Sequence, residues 1–349
     1  EKRLFVGFDG KTMIGILPVS LFCSGHSFFV TRMPQRHNLG VPFVVHATFQ
    51  YSGTEGKRNR FREARLWHDP PEYYNPEGGL LVFKPDIPAS MVKEALKPAG
   101  KLHVTNVDGH FNLANYQLKQ IRNALAIAQS LGRTLVMPRM VCAFDRWWAP
   151  HHGKIPGAST KLPVDPCPMD HVFEVEAWLR PHPESEFGKD IQFREFSMLT
   201  NPRTPDEVKY DQVVVQVCNP AKGFSCSATV NSRTDLSPDA PLPSAGPRPR
   251  VEKLDMGLKD NQIREKLMQY KSVKVLHFTT MHGAFGGFSD PRDLEKFMKR
   301  TRNYVSLWCC VHAHPGHIWY DFWPDMKHVD RHNRNWDPAV TPWKPVTGP

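Results

Sequence analysis

A strand–helix–strand pattern between residues 102 and 138 constrains the fold of this chain more than any other feature. Two apolar runs, 102–106 and 135–137, flank a segment whose apolar side chains recur at helical spacing. Those side chains are Leu118, Ile121, Leu125, Ala128 and Leu131. Gly132 provides a stop for the helix, and Pro138 ends the second run. This order predicts one βαβ unit of a parallel sheet.

Further apolar runs predict strands on both sides of that unit. They cover residues 4–8, 15–18, 28–32, 42–46, 80–83, 211–217, 273–278 and 304–310. A helix is predicted over residues 292–301. The stretch 230–252 is rich in proline and small residues, so it is predicted to be an inserted loop rather than part of a core. We therefore predict a first unit over residues 1–95, a Rossmann-like α/β unit over 96–327 that contains this insertion, and a proline-rich tail over 328–349.

The composition favours anionic partners. The 349 residues carry a formal net charge of +10, and the pI is about 9.2. Lysine and arginine are spread along the chain without a zinc-finger, RNP or recognition-helix pattern, so nucleic acid is not predicted as a partner. A phosphate-bearing small molecule or an acidic matrix explains the charge as well. The sequence contains no apolar run long enough to span a bilayer and no signal peptide at its start, so no membrane contact is predicted.

The seven cysteines show no CxxC pair, which argues against a zinc ribbon. Cys218 and Cys226 bracket a short loop that a disulfide would close. Cys142 and Cys167 are placed to do the same around a longer loop. The alternative is that all seven thiols are reduced. Disulfides would indicate an oxidising lumen.

The segment 44–63, VVHATFQYSGTEGKRNRFRE, has the residue types that bind a metal-chelated diphosphate. An apolar strand ends at His46, whose neutral imidazole would ligate a divalent cation. Gly53 and Gly56 would let the backbone approach phosphate oxygens without a Cβ in the way. Lys57, at the start of a basic helix, would neutralise charge on a departing diphosphate. We therefore predict a catalytic role for Lys57 and a metal-binding role for His46.

The same segment offers a further candidate and an alternative interpretation. Arg58 is a further phosphate candidate, whereas only some of the arginines that follow it on the helix can face one cleft. The alternative is a surface turn followed by a solvated basic helix and a structural histidine, because the pattern is looser than a Walker loop.

Several segments, in this order, resemble the plant and green-algal extensin arabinosyltransferases of glycosyltransferase family 77. The resemblance extends from about Gly15 to Asp321 and weakens in the proline-rich insertion. The segments are residues 17–30, 46–74, 115–148, 166–179, 286–290 and 315–321. The resemblance implies that residues 1–95 are the C-terminal part of a GT-A-like nucleotide-sugar transferase domain. It also implies that His26 contacts the acceptor side of the cleft.

The activity that this resemblance implies is transfer of arabinofuranose, or another pentose, from a UDP-sugar to glycans on hydroxyproline-rich glycoproteins. It implies Mn²⁺ or Mg²⁺ as cofactor and the Golgi lumen as location. Since the chain begins at Glu1, we expect it to be the C-terminal part of a longer polypeptide with a type II membrane anchor upstream.

The sequence departs from the family in one respect, because it contains no Asp-x-Asp triplet after an apolar strand. Asp9 and Asp69 are isolated, and one carboxylate alone would neutralise a metal and a diphosphate poorly. Either the acidic ligands lie in an upstream region, or the chain is a catalytically silent relative that acts as a binding or structural subunit.

Residues 115–138 are also similar to the opening strand-helix-strand of O-fucosyltransferase-type GT-B domains. This second resemblance implies that Asn115 and Gln117 face a donor or acceptor cleft. The alternative is that both side chains cap the helix or form hydrogen bonds locally.

Overall fold

A computed structural model describes residues 4–99, 104–146, 162–218, 236–241, 250–311 and 314–323. Six parallel strands form the main sheet in this part of the chain. They are β1 (Leu80–Phe83), β2 (Thr134–Val136), β3 (Phe193–Arg194), β4 (Gln212–Cys218), β5 (Arg250–Asp255) and β6 (Val275–Phe278). Their order across the sheet is β3-β2-β1-β6-β4-β5.

The two central strands are short apolar runs buried on both faces, as a parallel sheet requires. Leu81 and Phe83 pack on one face against the large core cluster, and Leu80 and Val82 pack on the other face against a smaller cluster. The register places Leu80 beside Val275 and continues residue by residue along both strands.

Four helices of eight or more residues accompany the sheet: α1 (Gly53–Glu63), α2 (Val107–Leu131), α3 (Asp260–Leu267) and α4 (Pro291–Thr301). Shorter helices span Met33–Arg36, Pro71–Tyr74, Ala89–Ala95, Val175–Leu179, Glu184–Phe187 and Asp206–Lys209. A π-helical turn covers His26–Val30, and 3-10 turns cover Met169–His171, Met198–Thr200 and Met268–Tyr270. None of the helices in the described ranges is long and apolar enough to cross a bilayer.

Five pairs of short strands lie outside the main sheet in the described part of the chain. Four pairs are antiparallel, within residues 4–15, 98–105, 140–167 and 307–319, and one parallel pair precedes the sheet. The pairs are Leu4–Gly7 with Thr12–Gly15, Phe22–Ser24 with Val44–His46, Pro98–Ala99 with Val104–Thr105, Met140–Cys142 with Val164–Cys167, and Leu307–Val311 with His314–Trp319.

Helix α2 has the ends that its sequence predicts. The Asn106 side chain caps it by accepting a hydrogen bond from the Gly109 N–H at 2.9 Å. Gly132 follows its last residue in the left-handed region, with φ of 64°. The apolar stripe of the helix lies in the large core cluster as far as Ala128, and partly buried Leu131 packs against that cluster. The predicted helix and the strand after it are therefore confirmed.

The first strand of the predicted βαβ unit is not the one expected. Within residues 102–106, Val104–Thr105 forms a small antiparallel pair, and residues 102 and 103 lie outside the described ranges. The sheet strand that precedes α2 is β1, which the sequence analysis placed in the first unit. Because β1 pairs with both β2 and β6, the sheet begins at residue 80 rather than after residue 95.

Two other predictions differ from the structure. Residues 28–32 were predicted as a strand because of their aromatic and β-branched side chains, but the chain forms a π-helical turn there. The Thr31 N–H donates to the His26 carbonyl at 3.0 Å and closes that turn. The predicted insertion also ends early, because β5 starts at Arg250. Much of 230–252 and the whole tail 328–349 lie outside the described ranges.

One of the two predicted disulfides is confirmed. Cys142 and Cys167 are bonded, with their Cα atoms 5.5 Å apart. Cys218 is also disulfide-bonded, but its predicted partner Cys226 lies outside the described residues. Cys23 is a buried free thiol.

A buried histidine in β6 should make the stability of this sheet sensitive to acid. Burial lowers the pKa of His277 to about 3, and its Nε2 accepts a hydrogen bond from the Ser237 N–H at 2.9 Å. Below pH 6.5 the unfolded chain binds a proton that the folded chain excludes, so stability falls as the pH decreases. The free energy of unfolding should decrease between pH 7 and pH 5. We expect this decrease to be roughly 1–2 kcal/mol smaller in His277→Gln than in the unmodified chain.

Urea unfolding at the two pH values would measure this effect, with the exposed His37→Gln as the control. An unchanged pH dependence in the His277 variant would contradict the assignment of a neutral buried imidazole.

Candidate functional site

The carboxyl ends of β1 and β6 lie side by side in the middle of the main sheet. From β1 the chain proceeds to β2 and β3 on one side, and β4 and β5 lie on the other side of β6. The connection that leaves β1 therefore leads to one side of the β1–β6 pair, and the connection between β4 and β5 lies on the other side. In open α/β sheets ligands bind outside the carboxyl ends of the strands at such a switch point.

Three polar side chains meet at this edge. Asp86 follows β1, His282 follows β6, and Tyr116 lies on the first half of α2. The Tyr116 hydroxyl donates to Asp86 Oδ2 at 2.7 Å, and His282 Nε2 lies 3.0 Å from the same oxygen. The Tyr116 hydroxyl and His282 Nε2 are 3.1 Å apart. We call these three residues the Asp86 cluster.

Helix α2 holds both loops that carry the Asp86 cluster. The buried Gln120 amide accepts from the Asp86 N–H and donates to the Asp86 carbonyl, each at 2.8 Å. The buried Asn123 amide donates to the Met281 carbonyl at 2.8 Å. Since Tyr116, Gln120 and Asn123 are spaced along one face of the helix, a single helical stripe positions the carboxylate and the imidazole.

The Asp86 cluster combines a rigid frame with access to solvent. The Asp86 side chain is 44% exposed, whereas the His282 side chain is 13% exposed. His282 Nδ1 is buried and has no hydrogen-bond partner among the described residues. Burial raises the pKa of Tyr116, and the hydrogen bond to Asp86 adds to that shift, so the phenol is a neutral donor. A carboxylate, an imidazole and a phenol held in this way can bind a sugar hydroxyl or accept its proton.

A glycine-rich loop completes this edge. Gly283 has φ of 66°, and its carbonyl accepts from the Gly257 N–H at 2.7 Å. A Cβ on Gly286 would lie 1.9 Å from the Gly257 carbonyl oxygen. Close approach of two loops therefore requires glycine at residue 286. Asp290 then caps α4 by accepting from the Arg292 N–H at 2.8 Å.

The residues predicted for the metal and the leaving group lie on the first 65 residues. His46 ends a two-stranded pair and is exposed, and Lys57 is exposed on α1. Gly53 begins α1 with φ of 57°. Gly56 is buried, and a Cβ there would lie 1.8 Å from the Tyr51 carbonyl oxygen, so Gly56 serves helix packing.

Carboxylates neutralise most of the arginines on α1. Arg58 Nη1 donates to the Glu55 carboxylate at 2.8 Å, and its guanidinium lies over the Trp67 ring. Buried Arg60 pairs with Asp170, and Arg62 pairs with Asp69. At the start of the helix, the Ser52 hydroxyl is 3.3 Å from the Glu174 carboxylate. In the described ranges, no three His, Cys, Asp or Glu side chains are grouped to hold a metal.

The remaining predicted contacts have protein partners. Buried His26 lies 2.5 Å from Asp145 through its Nε2. The Asn115 side-chain oxygen accepts from the Asp321 N–H at 3.2 Å. Gln117 donates to the Val141 carbonyl and accepts from the Val141 N–H, each at 2.9 Å. The partners of Asn115 and Gln117 are thus 206 and 24 positions away in the chain, so these hydrogen bonds are tertiary contacts rather than helix caps.

The sequence analysis did not identify the Asp86 cluster. A signal for two of its members was present, because Asp86 and His282 each follow an apolar run that was predicted as a strand. The rule that carboxyl ends of parallel strands carry the site would have selected them once the strands were known to be neighbours. Their adjacency was not visible, because β1 and β6 are almost 200 residues apart in the chain, as their bounds show.

The main sheet, with the Asp86 cluster at its carboxyl edge, defines an α/β protein of the parallel-sheet class. The chain is 44% identical over 328 residues to Arabinosyltransferase XEG113 of Arabidopsis thaliana, a match that covers 94% of this chain and 47% of that protein. The chain thus spans about half the length of the curated relative, and the predicted resemblance to arabinosyltransferases is confirmed.

Two further comparisons add less. No protein-family model matches the chain. Among solved structures, POFUT1 in complex with GDP-fucose is 14% identical to it, covering 66% of this chain and 52% of that chain, with a TM-score of 0.30. A TM-score this low does not define the topology of the sheet.

Proposed function

We propose that this chain is part of a glycosyltransferase that moves arabinofuranose, or another pentose, from a UDP-sugar to glycans on hydroxyproline-rich glycoproteins. The observation that carries the proposal is the 44% identity to an arabinosyltransferase over 94% of the chain. Because the match covers 47% of that relative, the activity is proposed for a polypeptide that contains both this chain and the counterpart of the remaining part.

Within this activity the Asp86 cluster is proposed to bind the acceptor sugar. Asp86 would accept the proton of the attacking hydroxyl, and His282 and Tyr116 would hold the carboxylate in place through its Oδ2 atom. The exposure of the Asp86 side chain, 44%, and its fixed backbone support this role. Proton transfer to a positioned carboxylate needs no metal at that point.

The finer proposal for the first unit is that residues 4–79 are the C-terminal part of a GT-A-like domain. Large apolar side chains in this region are unusually exposed, with Phe8 at 75%, Val41 at 86% and Phe43 at 77%. Two-stranded pairs such as those at residues 4–15 are marginal alone and gain stability from further strands. Packing against another sheet of the longer polypeptide would cover these side chains.

The donor site is proposed to use Mn²⁺ or Mg²⁺ with His46 as one ligand and Lys57 beside the diphosphate. The exposed position of both residues supports this placement. Oxygen ligands that these cations prefer, including the Asp-x-Asp motif, would come from outside this chain. The Golgi lumen, with an upstream type II anchor, is the proposed location, and the Cys142–Cys167 disulfide supports an oxidising compartment.

His46→Ala in the longer polypeptide is expected to abolish metal-dependent turnover of the UDP-sugar, because the cation would lose a ligand and the diphosphate its counter-charge. Release of UDP at varied Mn²⁺ concentration would measure the effect. Circular dichroism should show an intact fold, since the side chain is exposed. The exposed His37→Ala is the control.

Unchanged turnover in the His46 variant would overturn the metal assignment. Absence of turnover in the unmodified longer polypeptide, with the acceptor bound, would instead favour the silent binding subunit.

A further inference from the structure

A second cavity lies away from the Asp86 cluster and away from His46 and Lys57. Its volume is about 450 Å³, within the range of small-molecule sites. The residues that matter in its wall are three phenylalanines and three arginines. They are Phe28, Phe29, Phe196, Arg32, Arg65 and Arg139.

Two of these guanidiniums, those of Arg32 and Arg139, differ in how far carboxylates compensate their charge, and Asp239 also lines the cavity. Arg32 forms no side-chain hydrogen bond or ion pair among the described residues. Burial lowers the pKa of Arg32, and the charges of Arg139 and Arg36 lower it further, so like charges crowd this wall. Arg139 is paired with Asp239 through bonds of 2.7 and 3.3 Å. Asp165 is the other carboxylate that acts on Arg32.

Two acidic residues line the same wall, Asp239 and Glu63. Burial raises the pKa of Glu63 to about 8, and the charge of Asp170 contributes to the same shift. The Glu63 Oε1 accepts a hydrogen bond from the Met169 N–H at 2.9 Å. Arg65 Nη1 donates to the Thr200 carbonyl at 3.3 Å. With three arginines against these two carboxyl groups, the wall carries more basic than acidic side chains.

Phenylalanine rings that pack on one another form the aromatic part of the wall. The Phe28 and Phe29 rings meet edge to face with centroids 5.0 Å apart, and Phe29 packs in the same way on Phe61. The Arg139 guanidinium lies over the Phe196 ring at 5.5 Å. Phe28 and Phe196 are partly exposed. These two rings can contact the face of a base or a sugar.

We propose that this cavity binds an organic phosphate, with a phosphate group between Arg32 and Arg139 and a ring against Phe28 and Phe196. The Arg32 guanidinium would bind the phosphate oxygens in a fixed fork. Asp239 occupies Nε and Nη2 of Arg139, so Arg139 would donate to the phosphate from Nη1. The site is separate from the proposed acceptor and donor sites. Its occupancy does not depend on pentose transfer, so it goes beyond the proposed function.

Isothermal titration of the 349-residue chain, in buffer with EDTA, tests this site. The probes are UDP, inorganic pyrophosphate and uridine. UDP is expected to bind at least tenfold more tightly than either pyrophosphate or uridine, because only UDP supplies both the phosphates and the ring. EDTA removes divalent cations, so a failure here is distinct from a failure of the metal-dependent donor site.

Two variants locate the binding. Arg32→Gln is expected to weaken the binding of UDP and of pyrophosphate by about tenfold each. Phe28→Leu should weaken the binding of UDP several-fold and leave the binding of pyrophosphate unchanged. Arg36→Gln removes the same charge near Arg32 but outside the cavity wall, and it should bind UDP like the unmodified chain. Circular dichroism checks that each variant is folded.

The proposal is overturned if no probe binds, or if Arg32→Gln and Arg36→Gln have equal effects, since UDP would then bind elsewhere or through net charge. Equal affinity for UDP and pyrophosphate, with no effect of Phe28→Leu, would overturn the assignment of an organic ligand. If Arg32→Gln unfolds the chain, Arg32→Lys replaces it. Because lysine lacks the guanidinium fork, weaker binding of both UDP and pyrophosphate would then support the site, and unaltered binding would overturn it.

Discussion

Asp86→Asn is expected to reduce pentose transfer by the longer polypeptide by about 100- to 1,000-fold. The substitution keeps the shape and the Oδ oxygen that can accept from Tyr116, but it removes the basic carboxylate. If Asp86 accepts the proton of the attacking hydroxyl, kcat should fall much more than KM rises. The Gln120 amide binds the Asp86 backbone, so the loop should stay in place in the variant.

The measurement is the rate of pentose incorporation at saturating donor and varied acceptor. His282→Gln tests the same site less severely, because it removes a partner of the carboxylate and leaves the carboxylate itself. Asp290→Asn is the matched control, since Asp290 is an exposed helix cap beyond the glycine-rich loop. Full activity of Asp86→Asn, or an equal loss in Asp290→Asn, would remove the Asp86 cluster from the mechanism.

Asp170→Ala is expected to destabilise the fold by about 3–5 kcal/mol. Arg60 Nε and Nη2 donate to the two Asp170 oxygens at 2.7 and 3.1 Å, and both side chains are fully buried. The Tyr51 N–H also donates to Asp170, at 2.7 Å. Removal of the carboxylate would leave a buried guanidinium without its counter-charge, which costs far more than loss of an exposed ion pair.

Urea unfolding of the 349-residue chain would measure this change. Arg292→Ala breaks a solvent-exposed pair with Asp290, leaves the Asp290 cap of α4 in place, and should cost much less than Asp170→Ala. Combining Asp170→Leu with Arg60→Met should recover much of the loss, because an apolar pair needs no counter-charge. A loss below about 1 kcal/mol in Asp170→Ala would contradict the burial of this pair.

This pair also shows why the sequence could not tell which arginines of α1 are already neutralised within the protein. The residue types in α1 are suited to phosphate, and nothing local distinguishes an arginine that faces a ligand from one that faces a distant aspartate. Arg60 and Asp170 are 110 positions apart, and so are Arg300 and Asp190. Charge cancellation of this kind depends on chain folding, so a count of basic residues overestimates the free positive charge.

Features that depend on neighbours in the chain were predictable. The stripe of α2, its asparagine cap and its glycine stop reflect backbone chemistry within a few residues, and they recur in the structure as expected. The Cys142–Cys167 bridge required only that two thiols flank a loop. The same holds for the existence of most strands of the sheet, though not for their partners.

Which strands are neighbours, and which side chains therefore meet, was decided only in the folded chain. The run Leu80–Phe83 is apolar enough for many positions in a sheet. Its place beside β6 depends on the packing of both of its faces, because alternate side chains of the run belong to two different core clusters. That placement brings Asp86 to His282 and aligns both with Tyr116. Local sequence carries the preferences of the backbone, whereas the contacts that make a site join residues too distant in the chain for those preferences to specify.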